Sequence, residues 1–443
     1  MIFPRKPHLP FRPEKVPFFY GWLIIFAAII GILMSLPGQT IGVSVFTDHL
    51  IEALKIDRED LSLAYLFGTL LSGLLITRAG RLYDRIGARK MAVGAAIMLG
   101  IMLFYITRIE WMVIGFQKLT GTSGHIVITL ILMVIGFFGI RFFGQGILTM
   151  VSRNMVMKWF EETRGIAQAI TGVITTFGFA YAPRLFNDMI DDMGWKDTWL
   201  VIAAVSALAF TAFAFIFFRD NPQESGMKPD GFKLPWKKKN GPKIRPDKQY
   251  TLKEAVKTSS FWIFNLNIAL TALLVTALTF HIVSIFTESG LDRELAVKIF
   301  LPASIIAVSI NIIGGILSDL IRLKYLLLMN LFGSVLIGMA PLLMGKGAIG
   351  YPMLVLGYGL SIGLFTVLGS VVWPRFYGTK HLGAISGFSM SWAVIASAIG
   401  PYLFSLSLRY LGNYGFAFGV CAIIGVVLFI LAFKANNVNE VRS

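Results

Sequence analysis

The sequence predicts an all-α polytopic membrane protein, with twelve transmembrane helices in two pseudo-symmetric six-helix bundles. Three observations carry that expectation. Apolar runs of spanning length recur from one end of the chain to the other. Only 14% of residues are charged and the mean hydropathy is +0.72, whereas a soluble domain carries about 25% charged residues. The second half also repeats landmarks of the first in the same order.

The apolar runs lie at 20–46, 61–79, 91–108, 126–151, 166–188, 198–218, 260–287, 295–317, 325–344, 350–372, 383–408 and 412–433. Each is read as a helix, because lipid offers the backbone no outside partner and a membrane strand would alternate in polarity. Domains follow: an N-terminal tail (1–19), a first bundle (20–218), a linker (219–259), a second bundle (260–433) and a C-terminal tail (434–443). The tail Met1–Pro17 is basic and proline-rich, and the run after it is long enough to span, so no cleavable leader is expected.

The placement of bases sets orientation. With both termini cytoplasmic, inside segments hold 29 of the 40 lysines and arginines and outside segments hold 9, as the positive-inside bias requires. The net charge of +16 is therefore topological and calls for no nucleic acid. The linker holds five prolines, Pro222, Pro229, Pro235, Pro242 and Pro246, and the Lys237-Lys238-Lys239 run, a composition suited to a solvated connection or one resting on anionic headgroups. The single cysteine, Cys421, excludes a disulfide framework and a cysteine metal cluster. Five scattered histidines show no ligand spacing, and no cofactor is expected.

The repeat is specific. Asp57-Arg58-Glu59 matches Asp292-Arg293-Glu294, and Asp84 matches Asp319, both at a spacing of 235. Gly165 precedes Pro183 by eighteen residues, and Gly383 precedes Pro401 by the same number. Such matches argue for duplication of a six-helix unit.

Between the second and third runs stands Gly80-Arg81-Leu82-Tyr83-Asp84-Arg85-Ile86-Gly87-Ala88-Arg89-Lys90, read as a tight cytoplasmic hairpin. Gly80, Asp84, Arg85, Gly87, Arg89 and Lys90 are similar to the loop 2–3 signature of the major facilitator superfamily, and Asp319 with Arg322 keeps part of it in the second half. Ile140-Arg141-Phe142-Phe143-Gly144-Gln145-Gly146 resembles that family's arginine-and-glycine motif in span four. Trp159 to Ala167, and His281 with Gly290-Leu291, resemble the monocarboxylate and oxalate/formate branch. The resemblance implies a transporter working by alternating access, a monomer as default, and gating at the signature residues. This chain departs from the branch at Asn311, where a substrate-pairing arginine is expected, and span eleven lacks a lysine.

A charged side chain at bilayer depth is costly and should face protein or a wet cavity. Arg141, about fifteen residues into span four, is read as the one base well inside the apolar region. It is a counter-charge for an anionic solute, a structural arginine bonded to carbonyls beside a broken helix, or one linked to proton movement. Gln39 and Thr40 follow Pro37-Gly38, where proline removes a backbone bond. By the repeat offset of 240, Gln39 corresponds to Thr279. Tyr65, Asn265, Asn267, Asn311 and Trp392 complete the candidates for solute contact, with interhelical bonding as the alternative for each. His281 serves either solute or protons. No acid lies at mid-membrane, so proton coupling falls to His281, Asp48 or Glu288. Asp84 is expected to pair with a base or a helix end in one state and release in another.

The leading function is secondary active transport of a small, anionic, carboxylate-like solute, coupled to an ion or to exchange. The alternatives are proton-coupled efflux of amphipathic compounds, or a polytopic enzyme or sensor, for which no catalytic cluster appears. The compact loops favour a bacterial cytoplasmic membrane.

Overall fold

The computed structural model describes residues 10–120, 125–230, 246, 248–345 and 347–438. Among them, eleven helices are long and apolar enough to cross a membrane, and no strand occurs. The chain divides into two compact units: Met1–Trp159 with Ile174–Gly231, and Phe160–Val173 with Phe232–Ser443. Pro235, Pro242 and the Lys237-Lys238-Lys239 run lie outside the described residues.

The first unit opens with the first predicted span, which is not one helix. The run 20–46 divides into α1 (Gly21–Leu33), a 3₁₀ turn at Leu36–Gly38 and α2 (Thr40–Ser44). Pro37 cannot donate to the helical ladder, and Gln39 turns extended at φ −85°, ψ 152°, so the break is complete. A short α3 (Thr47–Leu54) leads to α4 (Arg58–Ile86), whose first turn is capped by the Asp57 carboxylate accepting from the Asp60 N–H at 2.7 Å.

The charged segment 80–90 is helical on both sides of Gly87, so the tight connection between the two spans is confined to that one residue. α4 runs through Gly80, Asp84 and Arg85 to Ile86, and α5 (Ala88–Thr107) begins two residues later. Only Gly87 leaves the helical path, at φ +83°, a conformation that favours glycine. Charge keeps a segment out of lipid but does not stop it from being helical.

After α6 (Ile109–Thr120) comes a single long helix, Ile126–Trp159. Its α7 (His125–Ile140) and α8 (Thr149–Trp159) are joined by wide π turns at Arg141–Leu148, a geometry common at functional sites. α9 (Arg164–Met193) begins in the second unit and ends in the first. α10 (Trp195–Ala204) and α11 (Thr211–Phe217) form one further span through a second set of π turns, Val205–Phe210. Just past it, burial lowers the Arg219 pKa to about 10, so it stays charged. Its guanidinium donates to the carbonyls of Ile216, Phe218 and Phe11.

The second unit starts with α12 (Leu252–Ala255), closed by a capping box between Thr251 and Glu254. Then follow α13 (Ser259–Glu288), α14 (Arg293–Lys298), α15 (Phe300–Leu320), α16 (Leu323–Leu343), α17 (Gly350–Tyr377), α18 (Leu382–Leu411) and α19 (Gly415–Ala432). α9 and α18 each have 30 residues, with Pro183 and Pro401 inside them. An aromatic cluster of Phe261, Trp373, Tyr377 and Phe388 packs α13, α17 and α18 together.

Candidate functional site

Two backbone irregularities meet in the first unit. The break after α1 presses against the π turns of the long helix: a Cβ placed on Gly38 would stand 2.1 Å from the Ile140 carbonyl oxygen and 3.0 Å from the Gly144 Cα. A Cβ on Gly144 would meet the Gly38 Cα at 3.1 Å. Both positions therefore need glycine for the approach itself. Since Gln39 is extended, the following N–H groups turn away from the Gly38 carbonyl, which is left to find another donor.

Arg141 supplies it. Its Nη1 donates to the Gly38 carbonyl at 3.1 Å and to the Thr40 hydroxyl at 3.3 Å. The guanidinium lies 5.2 Å from the centre of the Tyr65 ring, a cation–π contact, and the Tyr65 hydroxyl donates to Thr40 Oγ1 at 2.9 Å. The Arg141 Nε is buried with no hydrogen-bond partner. Only 2% of the residue is exposed, and among the described residues no carboxylate lies within ion-pair distance of it. A buried cation is thus held by a carbonyl, a hydroxyl and a ring face, all neutral. One turn away, the Gln39 amide donates to Ser35 Oγ at 2.9 Å and to Thr149 Oγ1 at 3.3 Å. The structure therefore brings Arg141, Thr40 and Tyr65 into one cluster with Gln39 beside it, and adds Ser35 and Thr149, which give no signal in sequence.

Asp48, by contrast, is exposed and paired with Arg58. The candidates of the second unit are spread over several helices. His281 Nε2 donates to the Pro401 carbonyl at 2.9 Å, and its Nδ1 lies 3.1 Å from the Tyr414 hydroxyl, tying α13 to α18 and to the start of α19. Glu288 accepts from the Tyr414 N–H at 3.4 Å. Thr279 reaches the Tyr358 hydroxyl at 3.2 Å. Asn311 donates to the Gly363 carbonyl and to Thr366 Oγ1, at 3.2 and 2.6 Å, joining α15 to α17. Trp392 packs edge-on to Trp262. Asn265 and Asn267 are fully buried, and their amide atoms have no hydrogen-bond partner.

The gating candidates divide too. Gly80 is buried in α4, Asp84 is half-buried and Arg85 exposed. Arg89 donates to the Phe218 carbonyl at 3.1 Å, which secures the start of α5, and Lys90 follows on the same helix. The first N–H of α5, from Ala88, is capped by Asp220 at 3.1 Å, and Asp220 pairs with Lys158. In the second unit, Asp319 accepts from the N–H groups of Gly165 and Ile166 at 2.9 and 3.1 Å, at the positive N-terminus of α9. Arg375 completes the site, lying 3.4 Å from Asp319 and donating to the Ser318 carbonyl. A Cβ on Gly165 would fall 1.9 Å from the Gly315 carbonyl oxygen. Arg322 stands exposed at the start of α16.

Arg375 and Arg153 are two further bases within spanning helices, each near its helix end and beyond the apolar run read from sequence. Arg375 is fully buried in the last turn of α17, beyond the predicted end of that span at 372. Arg153 sits within the long helix, six residues short of its end at Trp159.

The curated relatives of similar sequence are transporters. The chain is 25% identical to the uncharacterized MFS-type transporter YhjX of Escherichia coli strain K12, over 74% of either chain. It is 23% identical to the probable sulfoacetate transporter SauU of Cupriavidus necator, over 78% of either chain. Solved structures share the fold: the human organic anion transporter MFSD10 at a TM-score of 0.59 and 15% identity, covering 94% of this chain and 100% of that one, and the E. coli fucose:proton symporter FucP at 0.57 and 14%, covering 94% and 97%. The family profile of the Major Facilitator Superfamily matches residues 22–401, and the chain accordingly belongs to that superfamily, a multi-pass membrane transporter and not an enzyme.

Proposed function

We propose that this transporter moves a small organic anion with a sulfonate or carboxylate group, by alternating access, across a bacterial inner membrane with both termini inside. The carrying observation is Arg141: a buried guanidinium surrounded by neutral groups, with no acid among the described residues to offset its charge. Burying an uncompensated ion costs several kcal/mol, and a bound oxyanion would offset that cost with charge-assisted hydrogen bonds. Thr40, Tyr65 and Gln39, in the same unit, would orient the solute. The name of the Cupriavidus relative, a probable sulfoacetate transporter, supports an anionic solute. The resemblance to the monocarboxylate and oxalate/formate branch supports the same class, although Asn311 bonds within the protein where that branch places an arginine.

Gating is assigned to the 80–90 segment, with Asp84 as its acid, and to the tie between Asp319, Arg375 and the α9 N-terminus. Coupling to protons would fall to Asp48 or Glu288, because both ring nitrogens of His281 are engaged within the protein.

The test is binding of sulfoacetate, acetate, malonate and glucose to purified protein by calorimetry, with Arg141→Gln beside the wild type. Saturable binding of acids alone, lost in the variant, is expected. Binding of glucose, or of a cationic amphiphile in preference to every acid, would overturn the reading.

A further inference from the structure

We propose that Arg153 is a second oxyanion contact for the transported solute, a station beyond Arg141 toward the Trp159 end of the same helix. This rests on the anion reading of Arg141 but on different observations. Arg153 is half-buried, its Nε is buried without a hydrogen-bond partner, and among the described residues no acid pairs with it. Six residues before the helix end, Nε is the one guanidinium nitrogen of Arg153 that is enclosed without a partner, which leaves the rest of the head open to an oxyanion.

The register supplies the second observation. Arg141, Gln145, Thr149 and Arg153 follow at four-residue steps. In a plain α-helix such a stripe drifts by about 40° per step, but the wide turns at Arg141–Leu148 take up drift over the first two steps. The stripe faces the broken first span at three of its positions: Arg141 at Gly38, the Gln145 N–H beside Gly38, and Thr149 at Ser35 and Gln39. Gln145 Oε1 is also buried without a partner. The two guanidinium-bearing residues are about 18 Å apart along the axis at 1.5 Å per residue, too far for one small anion to bridge. They are successive contacts.

An oxyanion at Arg153 could come from the solute or from a phospholipid headgroup, and the experiment separates these. Wild-type protein in zwitterionic nanodiscs is treated with phenylglyoxal, and modification is followed at Arg141 and Arg153 by mass spectrometry with sulfoacetate or inorganic sulfate present. At tenfold excess over the dissociation constant, both residues should react about tenfold more slowly. Protection at Arg141 with an unchanged rate at Arg153 overturns the inference and leaves the function standing. Protection at Arg153 alone removes Arg141 as the counter-charge and, with it, the reading of Arg153 as a second station, so it overturns both. Protection at neither overturns both. Slowing of Arg153 by anionic phospholipid, with no further effect of sulfoacetate, assigns the contact to lipid and overturns it.

Discussion

At equivalent positions of the repeat the two halves differ in kind. Pro37-Gly38-Gln39-Thr40 breaks the first span, whereas Ala277-Leu278-Thr279-Phe280, 240 residues on, lies within the unbroken 30-residue α13. Proline and glycine are the poorest helix formers and alanine and leucine among the best, so local sequence decides which copy opens. The break exposes a carbonyl and admits a charged side chain. In the intact copy, Thr279 and His281 bond to neighbouring helices instead. At these matched positions the charge and the backbone opening lie in the first half, and the second supplies neutral groups that tie helices together. Divergence between duplicated halves marks where solute recognition is expected.

The largest effect that would break this contrast belongs to Arg141. Arg141→Gln should weaken sulfoacetate binding by about a thousandfold, the scale of removing a buried charge partner, and Arg141→Lys should restore only part of it, because lysine lacks the planar fork. Retained binding would erase the asymmetry.

Asp319 and Asp84 are the next matched pair. Asp319→Asn leaves Arg375 buried without its counter-charge and should cost about 3 kcal/mol of stability in denaturant unfolding. Asp84→Asn, at a half-buried site, should cut transport while leaving membrane insertion and stability nearly intact. Equal destabilisation by both would show that the halves carry the same kind of tie.

Gly38→Ala places a methyl group against the Ile140 carbonyl and should cost about 2 kcal/mol through overpacking. Leu278→Ala, at the equivalent position, leaves a cavity but should not alter anion affinity. Affinity measured in both variants therefore sharpens the contrast.

His281→Gln should lower stability by about 1 kcal/mol per hydrogen bond lost while leaving the pH profile of uptake unchanged, since both ring nitrogens are engaged within the protein. A flattened pH profile would make His281 a proton carrier instead.

The smallest effect lies outside the membrane. The Lys248 ammonium, with the Thr251 N–H and hydroxyl, holds the Glu254 carboxyl down to about 2. A depressed folded-state value contributes stability above the unfolded value of about 4.3 and loses it as pH falls through the folded one. Hydrogen exchange at 251–255 should stay slow at pH 4 and accelerate toward pH 2, whereas Glu254→Gln should show no such step.

Much of the fold was legible because lipid reduces the choices to apolar helices, and apolar runs can be counted. Arg141 stood out because it lies deep in such a run. Arg153 and Arg375 did not, since each follows the last clearly apolar stretch of its span and was placed in a loop. The Asp319 site was half legible: the acid repeats Asp84, but its partners are backbone N–H groups, which every residue carries. Within segment 80–90 the helices run up to Gly87 from both sides, since charge marks exit from lipid and says nothing about where a helix ends.

By itself, the sequence determined the helical class, the number of apolar runs, the duplication and the weak point at Pro37-Gly38. Each of these follows from local composition and from covalent limits on the backbone. Only the tertiary structure decided that the weak point faces the π turns, that Arg141 fills the gap with no acid nearby, and that Asp319 serves a helix start far from it in sequence. Such contacts depend on which surfaces packing brings together, and no single stretch of chain encodes that.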